Sequence, residues 1–310
     1  MQRLPRGRRN KAALRRVILN VHPADRGHLF DMAKVFVQTT FPHADPGDVS
    51  FYSRRNGRMV LVVQQGVVYD PSRPDTRKKK PRRDDGMRPA GYPFGYLPRL
   101  LMVWITTEAR ETQRPVITFG KRFYEFLEAA GVGTDSRSLA AVREQLTRLS
   151  TCRVSIAWDT KTPVTIEHLN TFRGIRLWKP CNEREVFAEG SGLILSKSFF
   201  EDLGADTVPV DVAVLRYMAP SPLGIDLYFL LHERASRLMK PLELKWADLA
   251  EQVGAAYMEM KEFARKARKE IARIREVCPA LRVEPGYGKI VLHPFAYSYQ
   301  MPLLFDPPLN

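Results

Sequence analysis

The chain has only three cysteines, Cys152, Cys181 and Cys278, among its 310 residues. Their separations of 29 and 97 residues fit neither a disulfide framework nor a zinc site, so the sequence predicts a reducing, cytoplasmic compartment. No stretch approaches the roughly 18 uninterrupted apolar residues of a membrane span, and the basic N-terminus lacks the apolar run of a signal peptide. We therefore expect no membrane partner.

Recognisable catalytic apparatus is also lacking. The six histidines are isolated from one another, which argues against a metal-dependent nicking enzyme with a tyrosine nucleophile. The G-x-x-x-x-G-K-[ST] phosphate-binding pattern does not occur, because Pro115 and Val283 stand where its first glycine would precede Gly120 and Gly288. These absences predict a protein that is not an enzyme and that has neither a cofactor nor a metal site.

Positive charge is abundant and unevenly distributed. The 49 Lys and Arg residues outnumber the 34 Asp and Glu residues, which gives a net charge of +15. Residues 1–16 contain seven basic residues and no acid, and residues 71–90 contain eight basic residues against three acids. Such a surplus is typical of proteins with a polyanionic partner, either nucleic acid or an acidic membrane surface, and of these two we expect nucleic acid. We expect both segments to be solvated and to add sequence-independent phosphate contacts if the chain binds DNA.

From about residue 93 the same order of predicted elements occurs twice. Each copy has a helix, a short strand, a helix that stops at a glycine, a longer helix and a hairpin, with the two stopping glycines, Gly131 and Gly254, 123 residues apart. The predicted helices span residues 98–112, 121–130 and 138–150 in the first copy, and 224–237, 246–253 and 258–277 in the second. The predicted strands lie at 116–119, 153–158 and 165–172, and at 242–244, 281–284 and 289–292. This is the order of a winged helix.

The predicted fold is therefore α+β, with tandem winged-helix domains whose wings are β-hairpins, preceded by a basic arm and a small α/β segment. A further helix is predicted over residues 24–39, followed by strands around the Asn56-Gly57 turn. The predicted divisions are a flexible basic arm (1–16), an N-terminal helix and strands (17–70), a basic linker (71–92), the first winged-helix domain (93–180), an acidic connector (181–212), the second (213–298) and a tail (299–310).

The third helix of each copy is the candidate DNA-reading element, because a helix-turn-helix protein places its second helix in the major groove. At 100° per residue, each such helix has an apolar face and an outer face that carries basic residues. The predicted DNA-binding residues are Lys261, Arg265, Lys266, Lys269 and Arg273 in the second copy, Lys289 on its hairpin, and Arg137, Arg143 and Arg148 in the first copy. A solvated amphipathic helix with internal ion pairs, such as Glu262–Lys266, remains an alternative for the second copy.

Several short stretches resemble the plasmid-encoded RepA replication initiators over about residues 90–295. Their order and spacing agree, although Val253 stands where a bulkier aromatic is expected and His232-Glu233 replaces a more neutral pair. The matching stretches are Gly91-Tyr-Pro-Phe-Gly-Tyr-Leu-Pro-Arg99, Thr106-Thr-Glu108, Arg143-Glu-Gln-Leu-Thr-Arg-Leu149, Ser221-Pro-Leu-Gly-Ile-Asp-Leu-Tyr228, Leu231, Arg234, Trp246-Ala-Asp-Leu249, Gln252-Val-Gly254, Phe263, Cys278-Pro-Ala280 and Gly288 to Pro294.

The resemblance implies a double-stranded DNA partner, namely repeated sites at a plasmid origin. It also implies local melting there and recruitment of host replication proteins such as the replicative helicase and initiator. The first copy is expected either to grip neighbouring DNA backbone or to form a homodimer surface. Three alternatives stay open: a winged-helix transcriptional repressor without initiator activity, an enzyme acting on nucleic acid, and an RNA-binding protein.

Overall fold

The computed structural model describes residues 11–25, 27–69, 86–158, 165–169, 171–176, 191–204, 207–254 and 259–295. Helices and strands both occur throughout these residues, which confirms the predicted mixture of the two. The tail at 299–310, the first ten residues and most of the predicted basic linker lie outside the described residues. In the described part of the chain, no helix is both long and apolar enough to cross a membrane.

The first third of the described chain supplies two helices and five strands. They are α1 (Lys11–Asn20), β1 (Leu29–Ala33), α2 (Lys34–Gln38), β2 (Tyr52–Asn56), β3 (Met59–Gln64), β4 (Gly66–Tyr69) and β5 (Met87–Gly91).

The first of the two copies, called the first repeat from here on, follows and is larger than the second repeat. It contains α3 (Leu97–Thr112), β6 (Val116–Thr118), α4 (Lys121–Ala129), α5 (Ser136–Thr151), β7 (Arg153–Trp158), β8 (Thr165–Leu169), β9 (Phe172–Arg176) and β10 (Gly192–Leu195).

A connecting segment then leads to the second repeat. The connecting elements are α6 (Lys197–Leu203), β11 (Thr207–Asp211) and α7 (Val212–Met218). The second repeat contains α8 (Pro222–Ala235), β12 (Leu242–Lys245), α9 (Trp246–Val253), α10 (Met260–Val277), β13 (Val283–Pro285) and β14 (Lys289–Leu292).

The two repeats share one sheet topology. The strand order is β6-β10-β9 in the first repeat and β12-β14-β13 in the second, so in both the short strand between the first two helices pairs with the last strand of the repeat. The paired strands are antiparallel in both sheets. Each three-helix unit is thereby closed by a three-stranded sheet.

The predicted hairpin over residues 153–172 forms, but it does not belong to the three-stranded sheet of the first repeat. β7 and β8 do form a hairpin, but β7 pairs with β3 in a separate sheet of order β2-β3-β7-β8. The buried side chains of Leu61 and Val63 on β3 lie next to Val154 and Ile156 on β7, so the two strands bury one continuous apolar face. The hairpin equivalent to β13–β14 is instead β9–β10.

Three predictions for the flanking segments need correction. Residues 24–39 are not one helix but β1 followed by α2, because β1 pairs with the distant β11 and buries Phe30 and Met32. Residues 11–16 are not a free arm, since they belong to α1, which buries Leu14 and Ile18. The predicted acidic connector (181–212) is more than a connection between domains, since its described part forms β10, α6 and β11.

A fully buried ion pair joins the first helices of the two repeats. Arg99 of α3 and Asp226 of α8 are 1% and 0% exposed, with Nε–Oδ1 at 2.5 Å and Nη2–Oδ2 at 2.6 Å. The same carboxylate accepts a hydrogen bond from Thr40 Oγ1 at 2.9 Å and lies 2.8 Å from His43 Nε2. The network therefore fastens α3, α8 and the segment after α2 to one another within a single apolar core.

Candidate nucleic-acid interface

Helix α10 separates its apolar and basic residues onto two faces. Phe263, Ala264, Ala267, Ile271, Ile274 and Val277 are buried. On the opposite side Lys261, Arg265 and Lys269 are exposed. Their spacing of four residues aligns them along one stripe of the helix. We call these three residues the basic stripe. They are three of the five cations that the sequence predicts as DNA-binding residues of this helix.

The other two predicted cations of α10 are held by neighbouring groups. Lys266 Nζ lies 2.9 Å from Glu262 Oε1, an exposed pair that the sequence predicts and that contributes less than about 1 kcal/mol. The outward placement predicted for Arg273 is wrong. Its side chain is 17% exposed, it contacts Glu270 Oε2 at 2.6 Å, and it donates to the Tyr217 carbonyl because α7 packs against this end of α10.

A shallow groove of about 450 Å³ runs beside the basic stripe. The side chains of Arg265 and Lys269 line one wall, and His43 together with Ser221 at the start of α8 lines the other. Burial lowers the pKa of His43 although the Asp226 carboxylate opposes this effect, so near neutral pH the cations of the groove come from α10. Glu270 adds one carboxylate to the lining.

The turn between β13 and β14 is fastened to α10. The Gly286 carbonyl accepts hydrogen bonds from Arg268 Nη2 at 3.0 Å and from Trp246 Nε1 at 3.3 Å, while the Arg268 guanidinium lies 4.8 Å from the Trp246 ring centre. Tyr287 at the tip is fully exposed. Lys289, the predicted phosphate contact, lies 2.6 Å from Glu243 on β12 and remains 45% exposed.

The third helix of the first repeat presents a weaker basic face. Arg137 is exposed near the start of α5, where the Asp135 carboxylate caps the helix, and Arg143 is half-buried. The outward placement predicted for Arg148 is wrong. Its side chain is 15% exposed and lies 2.5 Å from Glu144 and 3.3 Å from Asp45.

A hairpin from the N-terminal segment explains the burial of Arg148. The strands β4 and β5 pack against α5, and the Tyr92 carbonyl that follows β5 accepts a hydrogen bond from Arg148 Nη1 at 3.1 Å. The neighbouring Gly91 has φ of +82°, and a side chain there would meet the Arg148 guanidinium at 3.1 Å. The C-terminal half of α5 is therefore a packing surface, and only its N-terminal half is open to a ligand.

Two arginines that contact α9 or the residues next to it were not predicted. Arg268 follows Arg265 by three residues, so a projection of α10 shows it next to the basic stripe. Arg54 on β2 donates to the Gly254 carbonyl at the end of α9 and to the Tyr52 hydroxyl. No local signal identifies Arg54, because the contact joins residues 200 positions apart.

Comparisons with known proteins find one matching family and similar solved structures. The family model described as plasmid encoded RepA protein matches residues 92–245, which cover the first repeat, the connecting segment, α8 and β12. A selenomethionine crystal structure of domains 2 and 3 of RctB superposes with a TM-score of 0.50 at 12% identity, over 81% of this chain and 94% of that one. A second crystal structure of RctB domains 2–3 gives a TM-score of 0.48 at 12% identity, over 84% and 95%. No curated protein sequence gives a significant match.

Proposed function

Since residues 92–245 show that this chain belongs to the family of plasmid-encoded RepA proteins, we propose that it initiates plasmid replication by binding repeated double-stranded DNA sites at the origin. The proposal assigns a winged-helix fold to each repeat, with α10 as the reading helix of the second and β13–β14 as its wing. The shared strand order of the two sheets supports this assignment.

The proposal depends on one observation. The basic stripe of α10 lies beside the β13–β14 turn, which hydrogen bonds hold in place. Lys261, Arg265 and Lys269 are exposed on one side of a helix whose other side is fully engaged in the core. A helix of this kind fits the major groove of B-DNA, where arginine and lysine recognise guanine edges or phosphates. The hydrogen bonds from Arg268 and Trp246 hold the turn at a fixed position relative to the helix.

We further propose that the protein is not an enzyme and that melting of the duplex draws on the free energy of binding several adjacent sites. Among the described residues, no group of three or more His, Cys, Asp or Glu side chains is placed to hold a metal ion. Recruitment of host replication proteins, such as the replicative helicase and initiator, completes the proposed role. The first repeat would contact neighbouring DNA backbone or a second copy of the chain.

A binding titration tests the central claim. The wild-type protein is titrated against duplex DNA carrying the repeats next to its own gene and against scrambled duplex, at two salt concentrations. We expect a specific-over-scrambled ratio of roughly 10³ or more that survives the higher salt. Equal and salt-sensitive binding to both duplexes would show that only phosphates are contacted, and the initiator proposal would lose its support.

A matched pair of variants tests the assignment of α10. Arg265→Ala with Lys269→Ala removes two charges from the basic stripe, and Arg58→Ala with Lys197→Ala removes two exposed charges elsewhere. Each guanine-reading contact is worth about 1–3 kcal/mol, so the first variant should lose specificity by roughly 10-fold or more. Retention of the wild-type specificity ratio by the first variant would refute the assignment.

A replication assay separates the initiator from the repressor. A plasmid whose only origin is the candidate origin, supplied with this protein, is maintained if the chain is an initiator. A repressor that lacks initiator activity would bind the same DNA without sustaining the plasmid.

A further inference from the structure

The turn between β13 and β14 presents one aromatic side chain to solvent. The Tyr287 ring is fully exposed at the tip of this turn, between Gly286 and Gly288. A single exposed apolar side chain is common on protein surfaces and does not by itself indicate a ligand. The case for Tyr287 therefore depends on how its backbone is held, which charges surround it and how far it lies from α10.

Hydrogen bonds hold the backbone on both sides of Tyr287. The Gly286 carbonyl accepts the two hydrogen bonds from α9 and α10 described above, and the Gly286 amide donates to the Lys289 carbonyl at 2.8 Å. The Trp246 amide donates to the Gly288 carbonyl at 3.1 Å. The position of the tip is thus fixed before any ligand binds, and such preorganisation lowers the entropy cost of a contact through the ring.

The charges of the sheet β12-β14-β13 become more basic toward the turn. Glu243 on β12 and Glu284 on β13 are both register partners of Val291. Two residues nearer to the turn, Lys245 is the register partner of Lys289. Lys245 is exposed, while Lys289 also contacts the Glu243 carboxylate. The end of the sheet at the turn is therefore its basic end, which favours a polyanion as the ligand there.

One arginine side chain spans the gap between the turn and α10. Arg268 bonds to the residue that precedes Tyr287, and it lies between Arg265 and Lys269 of the basic stripe in sequence. The major groove of B-DNA is about 12 Å wide, and the minor groove beside it is about 6 Å wide. With α10 seated in the major groove, an element one arginine length to its side therefore reaches the adjoining minor groove.

We propose that Tyr287 is a specificity-determining residue, whose ring enters the minor groove on one flank of the site read by α10 and favours A·T pairs there. In this groove A·T and T·A pairs present only acceptor atoms, whereas a G·C pair adds the N2 amino group of guanine. A ring packed against that amino group would remove water from a donor without supplying an acceptor, which is costly. This inference rests on the function proposed above and adds a preference outside the major groove.

The experiment compares three duplexes that carry the same origin repeat between flanks of A·T, G·C or I·C pairs. Inosine lacks the N2 amino group of guanine but presents the same atoms in the major groove, so the I·C flanks separate the two grooves. We expect the wild-type protein to bind the A·T and I·C duplexes equally well and the G·C duplex on the order of 10-fold more weakly. Equal binding to all three, or weak binding to I·C as well as G·C, would overturn the inference.

Three variants of the full chain are measured on the same duplexes. Tyr287→Phe keeps the ring and should keep the preference for A·T and I·C flanks. Tyr287→Ala should bind the A·T duplex on the order of 10-fold more weakly than wild type and should no longer distinguish the flanks. The control is Met239→Ala, because Met239 is also an exposed apolar side chain, at 96%, in the loop between α8 and β12. It should bind like wild type.

Two checks separate the possible failures. Urea unfolding should be the same for all four proteins, since both substituted side chains are exposed. Retention of the flank preference by Tyr287→Ala, or its loss in Tyr287→Phe, would overturn the inference while the proposed function stands, and the ring would be left to a protein partner. If the wild-type protein binds the repeat no better than a scrambled sequence between the same flanks, the proposed function fails instead.

Discussion

The buried pair of Arg99 and Asp226 provides the sharpest test of how the two repeats are held together. In the variant Asp226→Ala, the Arg99 guanidinium keeps its hydrogen bonds to the Phe41 and Gly95 carbonyls but loses both bonds to the carboxylate. Loss of one partner of a fully buried ion pair costs about 3–5 kcal/mol, because the remaining charge stays buried without compensation. That is a large fraction of the total stability of a typical domain.

The surrounding contacts place the effect toward the upper end of this range. The Asp226 carboxylate also accepts from Thr40 and contacts His43, so its loss removes the tie to the segment that follows α2. Burial by itself would raise the pKa of Asp226, but the Arg99 charge and the hydrogen bonds from His43 and Arg99 hold that pKa below its usual value. The carboxylate is therefore ionised at neutral pH, and the pair is a charged one.

The measurement is urea unfolding followed by far-ultraviolet circular dichroism for four proteins: wild type, Asp226→Ala, Arg99→Ala and the double variant. We expect each single change to lower the free energy of unfolding by about 3–5 kcal/mol. The double change should cost clearly less than the two single changes together, because no unpaired charge remains. Single losses under 1 kcal/mol, or strictly additive ones, would refute the reasoning.

Three further predictions concern single residues. Burial lowers the pKa of His232 to about 4, so this side chain stays neutral in the folded state while it gains a proton in the unfolded state below about pH 6.5. The free energy of unfolding should therefore fall on the order of 3 kcal/mol between pH 6.5 and pH 4. In His232→Phe, urea unfolding over the same pH range should show a fall that is smaller by that amount. Gly254 and Gly288 both have φ of +74°, but a side chain at Gly254 would displace the Arg54 guanidinium, whereas Gly288 faces open space. Since Arg54 donates hydrogen bonds to the Gly254 carbonyl and the Tyr52 hydroxyl, Gly254→Ala should lower the free energy of unfolding by about 1 kcal/mol more than Gly288→Ala. Equal costs would contradict the Arg54 contact. Arg148→Ala should lower the free energy of unfolding by about 1–2 kcal/mol without changing the salt dependence of DNA binding, since its guanidinium contacts protein groups.

Helices whose ends are marked by a glycine or a proline could be predicted from the sequence. The helices α4 and α9 are followed at the expected places by Gly131 and Gly254, both with φ of +74°. Pro98 and Pro222 lie in the first turns of α3 and α8. Because helix starts and stops depend on residues close in sequence, both repeats could be recognised before any tertiary contact was known.

The pairing of distant strands could not be predicted in the same way. The apolar alternation of β7 is compatible with a wing as well as with a strand next to β3, and only the tertiary structure decides between the two. The same holds for residues 24–39, where pairing of β1 with β11 overrides a helical pattern. The sequence shows which segments have an apolar face but does not show which segment will cover it.

The interface residues illustrate the same limit on the scale of side chains. A helical projection correctly places Lys261, Arg265 and Lys269 on the outer side of α10. It fails for Arg148 and Arg273, whose guanidinium groups also contact residues outside their own helices, Asp45 and Tyr217. A helical projection identifies the side of a helix that faces the core. It does not show whether another element of the chain covers the opposite side.

The interleaving of the N-terminal segment with later parts of the chain has a consequence for folding during synthesis. The strand β3 pairs with β7 at residues 153–158, and β1 pairs with β11 at residues 207–211. While the ribosome is still adding the first repeat, the apolar side chains of β1 and β3 therefore lack their partners. Pairings so distant in sequence raise the contact order and slow folding. Nascent chains of this protein should thus depend on chaperones until the start of the second repeat has emerged.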